Sequence, residues 1–261
     1  MIYEYYRPQT LDEALVLLAR SKPQTIPLAG GTAVDRTSTE ALAVVDLQSL
    51  GLDRLRRRST HLEIGAMLTL QSLLEYLNAE SETDASVLAT LKRVIQLEAT
   101  YNLRQIATAA GTLVAASGRS PFATALLALD ARLNLLPGDE IIGLGDLLPF
   151  RHQKLHGRLI SHLSFAVKAY LAYEFVARTP ADLPIVGVAV ASWPSGRTRI
   201  ALGGFGNIPI LALDGTETDG AVLAARSAYA QAEDEWASAE YRQEIAGILT
   251  QRCLDQSSNP G

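Results

Sequence analysis

The chain has 261 residues, 48 % of them hydrophobic and 20 % charged, with a formal net charge of -5. That balance supports a sizeable core, excludes a disordered chain, and argues against a broad nucleic-acid surface, which needs a basic face. The single cysteine, Cys253, excludes an internal disulfide and an iron–sulfur cluster held by this chain alone, since such a cluster usually takes four thiolates.

The opening MIYEYYRPQT lacks the basic segment and apolar core of a signal peptide. No apolar run reaches the roughly 18 residues that span a bilayer, so a cytoplasmic protein without a membrane span is expected. Thr10-Leu-Asp-Glu13 has the spacing of a capping box, and Leu11, Ala14, Leu15 and Leu18 recur at helical intervals, predicting a helix over 11–20. Thr25 to Ala29 reads as a short buried strand that must turn at Gly30-Gly31-Thr32. Strands are predicted at Ala43 to Leu47 and His61 to Ala66, and helices at Leu68 to Leu77 and Ser86 to Gln96. Between them Arg54 and Arg56 to Arg58 form the one basic run, read as solvated charge.

Gln105 to Pro121, QIATAAGTLVAASGRSP, has almost no side chain capable of proton or metal chemistry. It reads as neither a good strand nor a capped helix, and its small residues let a backbone come close to something. Ala123 to Leu129 is then a buried helix and Ala131 to Leu136 a strand. A boundary is expected near 160–175, followed by a strand at Ile185 to Ser192, a hairpin turn at Trp193 to Arg197 and a return strand at Thr198 to Leu202. Gly220 to Trp236 and Ala239 to Leu254 are predicted helices. Short strands and helices mixed without regular alternation place the fold in the α+β class.

No catalytic constellation is evident. His152 and His156 are spaced to share a helix face, with His162 near, but no matching Cys or carboxylate cluster accompanies them. Hydrogen-bonding histidines are the better reading, and no metal site is expected. No nucleophile elbow or P-loop pattern appears, and Leu202-Gly-Gly-Phe-Gly-Asn207 reads as a structural turn because it does not open a helix. Two small-residue loops remain, Leu28-Ala-Gly-Gly-Thr-Ala33 and Thr108-Ala-Ala-Gly-Thr112. Each suits tight-turn packing, and each also suits a pyrophosphate held by main-chain N–H groups without a lysine.

In order and spacing, several blocks make the chain resemble the flavin subunit of molybdenum hydroxylases of the carbon monoxide dehydrogenase and xanthine dehydrogenase type. These are the opening Tyr6 to Ala14, AGGT at Ala29 to Thr32, LEIGAMLTL at Leu62 to Leu70, LRQIATAAGTL at Leu103 to Leu113 and ALLALDA at Ala125 to Ala131. RIALGGFGNIP and AEYRQEIAGILTQR extend the resemblance toward the C-terminus. It implies an FAD-binding domain over 1–165 made of two α+β subdomains split near 55–60, then a small C-terminal α+β domain with an antiparallel sheet over 166–261. It implies non-covalent FAD gripped by Leu28, Ala29, Gly30, Gly31, Thr32 and Ala33 together with Thr108, Ala110, Gly111 and Thr112. Arg104 matches a family arginine, Ser117 belongs to the block that follows, and Leu159 matches an apolar residue near the isoalloxazine. Electrons would arrive from a [2Fe-2S] cluster on a small iron–sulfur subunit and leave to an external acceptor, while a large subunit oxidises substrate at its Mo-pterin.

The chain departs from the family pattern at Ala33, at Ala110, whose methyl narrows the second loop and penalises a positive φ, and at Pro121, where an Asp usually contacts the flavin's sugar-like chain. Arg119 could compensate by meeting a phosphate. These departures keep open an alternative, a divergent relative with weak or no FAD binding that serves as a structural or assembly subunit.

Overall fold

The computed structural model describes residues 2–33, 42–80 and 85–258. The chain is α+β, and its described strands form three sheets. The first is parallel, with order β1-β3-β2, from β1 (Ile2–Tyr6), β2 (Gln24–Leu28) and β3 (Leu42–Asp46). Helix α1 (Leu11–Leu18) packs on it through Ala14 and Leu18. The predicted cap forms there, with Thr10 Oγ1 accepting from the Glu13 amide at 3.3 Å. Glu13 Oε2 in turn accepts from the Gln9 amide at 3.0 Å. Pro27, which cannot donate to a ladder, sits in the edge strand β2, where that omission costs least.

The second sheet is antiparallel, with order β4-β5-β8-β6-β7. It comprises β4 (Leu55–Arg57), β5 (His61–Gly65), β6 (Arg132–Leu136), β7 (Glu140–Gly143) and β8 (Leu159–Ala166). Between β5 and β6 run α2 (Leu70–Ala79), α3 (Ala85–Glu98), α4 (Tyr101–Arg104), α5 (Ala109–Ala115) and α6 (Pro121–Ala128); α7 (Leu144–Leu147) and α8 (Arg151–Lys154) follow β7. The basic run lies on exposed β4, where Arg56 and Arg58 pair with Glu63 and Arg57 with Glu80.

The third sheet is an antiparallel meander of β9 (Tyr170–Val176), β10 (Val186–Ser192), β11 (Thr198–Gly203) and β12 (Ile210–Gly215), closed by α9 (Ala221–Ala228) and α10 (Ala239–Ser258). Its strands alternate between two cores. Val186, Val188 and Val190 pack with Ala225, Ala246 and Leu249, whereas Ala189 and Ala191 pack with the α3 and α6 side of the molecule.

Three expectations are corrected. Two strands were expected in this region and four form: β9 (YLAYEFV) has one charged residue, Glu174, among apolar ones and carries no alternation to reveal it. The helix expected over Gly220 to Trp236 stops at Ala228. Beyond it the Asp234 carboxylate accepts from the Trp236 and Ala237 amides, and the fully buried Arg242 binds Asp234 and the carbonyls of Ala232 and Ala237. Those side-chain partners replace the helical ladder. The Ala-rich run, third, is a capped helix, α5.

Glycines tie the third sheet to the second core. The Gly204 amide donates to Gly118 O at 2.7 Å and the Gly118 amide to Gly206 O at 2.9 Å. A Cβ on Gly118 would lie 1.8 Å from Phe205 O. LGGFGN is thus a turn that clasps the ASGRS segment by backbone alone. A second tie is ionic: Asp130 accepts from Arg199 at 2.7 Å and Arg197 at 2.9 Å, and Asp214 pairs with both arginines. Among the described residues no helix is long and apolar enough to cross a membrane.

Candidate functional site

Leu28 ends β2, and the chain turns through Ala29, Gly30 and Gly31, the last at φ +69°, the left-handed region that favours glycine. Gly30 is pressed against the segment leading into the second loop, where an added Cβ would lie 1.7 Å from Ile106 O. Ala29 lies beside Gly111, its methyl 3.8 Å from where a Gly111 Cβ would stand. The two small-residue loops, 77 residues apart from Gly30 to Ala107 in order of sequence, therefore meet in space. Among the described residues no hydrogen bond engages the amides of Gly30, Gly31, Thr32 or Ala33.

The second loop is built differently from its sequence reading. Thr108 caps α5, its Oγ1 accepting from the Gly111 amide at 3.2 Å. The Ala109 amide donates to Leu68 O at 2.8 Å, that of Ala110 to Ala66 O at 3.2 Å, and that of Thr112 to Thr108 O at 2.8 Å. The first-turn amides, expected to face a ligand, are spent on protein carbonyls. Long-range bonds to the turn that follows β5 hold in place a helix that an Ala-Gly run would not nucleate alone. The penalty expected at Ala110 does not arise, because the residue is helical and its methyl is buried in the core.

Between the loops opens a cleft of about 250 Å³. Thr32 and Ala33 line it from the first loop, Thr112, Ala116 and Ser117 from α5 and the segment after it, Glu98 and Ser120 from below, and Leu183 from the run before β10. Among the described residues hydroxyls dominate its polar lining, and none of those that line it is Lys, Arg or His. Narrow, small-walled and bordered by open amides, it fits the slender middle of a dinucleotide.

Of the remaining residues singled out from sequence, Arg104 is turned inward: Nη1 donates to Ala99 O at 2.7 Å and Nε to Gln71 Oε1 at 3.3 Å, pinning the end of α3 behind the cleft wall. Leu159 is 2 % exposed and packs with Ala14, Leu18 and Val45 under the first sheet, outside the cleft lining. Arg119 does not reach for a phosphate; it donates to the carbonyls of Leu183 and Pro184 and lies 4.6 Å from the Trp236 ring centroid. Because α8 ends at Lys154, His152 and His156 do not share a helix face.

Sequence reasoning missed Glu98. Its Oε2 accepts from Ser120 Oγ at 2.8 Å and from the Phe122 amide at 2.9 Å, capping α6 from another helix. Pro121 lies between those two donors at the first helical position, which lacks no hydrogen bond by having no N–H. Burial pushes the Glu98 carboxyl up, against the opposing pull of Phe122 and Ser120. The signal was present in the helical period, since Val94 and Ile95, one turn earlier, are fully buried.

A family model described as the FAD binding domain in molybdopterin dehydrogenase matches residues 1–153. The uncharacterised protein YgfM of Escherichia coli K12 is 28 % identical across 95 % of this chain and 94 % of its own length. The carbon monoxide dehydrogenase medium chain of Afipia carboxidovorans is 26 % identical across 98 % of this chain and 96 % of its own. Among solved structures, reconstituted CO dehydrogenase from Oligotropha carboxidovorans matches at a TM-score of 0.81 and 25 % identity, over 98 % of this chain and 97 % of that one. Quinoline 2-oxidoreductase from Pseudomonas putida 86 shares the fold at a TM-score of 0.76 and 21 % identity, over 98 % and 96 %.

Proposed function

The chain belongs to the family of FAD-binding domains of molybdopterin dehydrogenases, and from that membership we propose that it is the flavoprotein subunit of such an enzyme, at work in the cytoplasm. In this reading the chain would hold FAD, whose redox chemistry would link a [2Fe-2S] cluster on a small partner subunit to an external acceptor. Substrate is oxidised at the Mo-pterin of a large partner subunit. The observation that carries the reading is the meeting of the two glycine loops, Gly30 on Ile106 O, at the mouth of a hydroxyl-lined cleft.

The bound FAD supplies the redox chemistry; the polypeptide supplies position and electrostatics. The open amides of Gly30 to Ala33 hold the anionic middle of the cofactor, in the manner of a main-chain nest. Thr32 and Ser117 offer hydroxyls along the cleft, that of Thr112 being donated to Thr108 O, and Leu183 brings an apolar contact from the C-terminal part. Arg104 positions the wall by holding Ala99.

The purified chain is expected to show the visible absorption of an oxidised flavin, or to acquire it when FAD is added, and to co-purify with a large molybdopterin subunit and a small iron–sulfur subunit. A chain that stays colourless in excess FAD overturns the reading and favours the scaffold alternative.

A further inference from the structure

In the flavin site one polar atom has no task. Glu98 Oε2 is saturated by Ser120 and Phe122, while Oε1 accepts no hydrogen bond among the described residues. Oε1 is not one of the buried side-chain atoms lacking a partner, which among the described residues are Arg199 Nε and Thr250 Oγ1. Glu98 lines the cleft, so this oxygen is open to it.

The surroundings select what it can meet. Among the described residues that line the cleft none is a cation, so beside Glu98 a phosphate would face a carboxylate with no described countercharge. The open amides that suit phosphate belong to a different segment, Gly30 to Ala33, of which Thr32 and Ala33 share the cleft lining. A carboxylate oxygen with free lone pairs accepts from hydroxyls, and FAD carries these in two places, the sugar-like chain and the adenosine ribose. Burial already pushes the carboxyl up, so a neutral donor suits this position better than an anion.

Resting on the flavin reading, we propose that Glu98 is a specificity-determining residue of the cleft: its Oε1 accepts a hydrogen bond from a hydroxyl of the bound dinucleotide and fixes the direction in which the cofactor lies. The phosphates are directed to the first loop by attraction and away from Glu98 by repulsion.

The test titrates FAD, FMN and ADP into the full-length chain and its Glu98→Gln variant by calorimetry. Glutamine keeps one carbonyl oxygen for Ser120 and Phe122 and replaces the cleft-facing acceptor by a donor. E98Q is expected to weaken FAD about tenfold or more, while the FAD-free chain still unfolds cooperatively at a modestly lower melting temperature, since Ser120 and Phe122 keep a neutral acceptor. Loss for FMN alone assigns the contact to the sugar-like chain, and loss for ADP alone assigns it to the ribose. Equal loss for both signals a general distortion and overturns the proposal, as does unchanged FAD affinity, which leaves the flavin reading standing. Failure of the native chain to bind FAD overturns both. If E98Q does not fold, FAD analogues lacking single hydroxyls are titrated into the native chain. A loss of affinity confined to one hydroxyl supports the proposal, and equal affinity for all of them overturns it.

Discussion

Replacing Gly30 by valine is expected to abolish FAD retention and to destabilise the chain by about 3 kcal/mol or more. The side chain has nowhere to go: its Cβ would stand 1.7 Å from Ile106 O and 2.6 Å from the carbonyl carbon, both backbone atoms. Relief requires the first loop to withdraw from the second by more than an ångström, which opens the cleft wall between Thr32 and Thr112. Gly51→Ala is the matched control. Gly51 also needs glycine's freedom, at φ +64°, but nothing lies within 4 Å of its added Cβ, so only the roughly 1–2 kcal/mol of a left-handed backbone is lost and FAD stays bound. Urea unfolding and flavin content, measured on both variants, check the pair. A Gly30→Val chain that keeps its flavin means that the loops do not need to touch.

Asp130→Asn is expected to lower stability by about 1.5–3 kcal/mol at neutral pH, the range of a hydrogen bond to a charged group. Asp130 sits at φ +55°, a conformation that asparagine also tolerates, so the substitution isolates the charge. Arg199, whose side chain is only 7 % exposed, would keep Asp214 as its one carboxylate, and Arg197 would lose its bond across to the turn after α6. The same cluster sets the acid limit. Hydrogen bonding from Arg197 holds the Asp214 carboxyl below its ordinary range. A carboxyl whose folded pKa is depressed stabilises the fold fully above its unfolded value of about 3.9, and that contribution disappears as pH falls through the folded value. Acid unfolding of the native chain should therefore set in below about pH 4, with D130N unfolding at higher pH. An unchanged urea midpoint in D130N at neutral pH would sink the assignment.

What the sequence disclosed and what it hid follow a physical pattern. Thr10-Leu-Asp-Glu13 announced α1 because a capping box is local chemistry, complete within four residues. The hairpin at Trp193 to Arg197 was legible for the same reason, and the Trp193 amide does donate to Arg197 O at 2.9 Å. The two glycine loops could be picked out as places where a backbone needs room, and the resemblance put them together. The sequence did not show how that room is used. Gly30 makes space for Ile106 O, a protein atom, and the α5 amides are taken by Ala66 and Leu68, over forty positions upstream. Long-range partners of this kind leave no local trace. Glu98 escaped because a lone carboxylate near a helix end reads as surface, and only α6, folding back on α3, turns it into a buried cap. Leu159 was singled out by resemblance alone, and nothing local in the sequence announced that it lies on strand β8, whose inward side completes the core beneath the parallel sheet.

The meander of β9 to β12 has no solvent face in its central strands. One side of β10 belongs to the helices that follow it, the other to α3 and α6. A wall shared by two rooms cannot be removed with either of them. Cutting the chain before Tyr170 would strip the second core of Leu171, Tyr173, Ala189, Ala191 and Ala201, and would expose α6, whose N-cap Ser120 lies in the floor of the cleft. The apparent junction in the sequence is therefore expected to be a poor place to cut the chain.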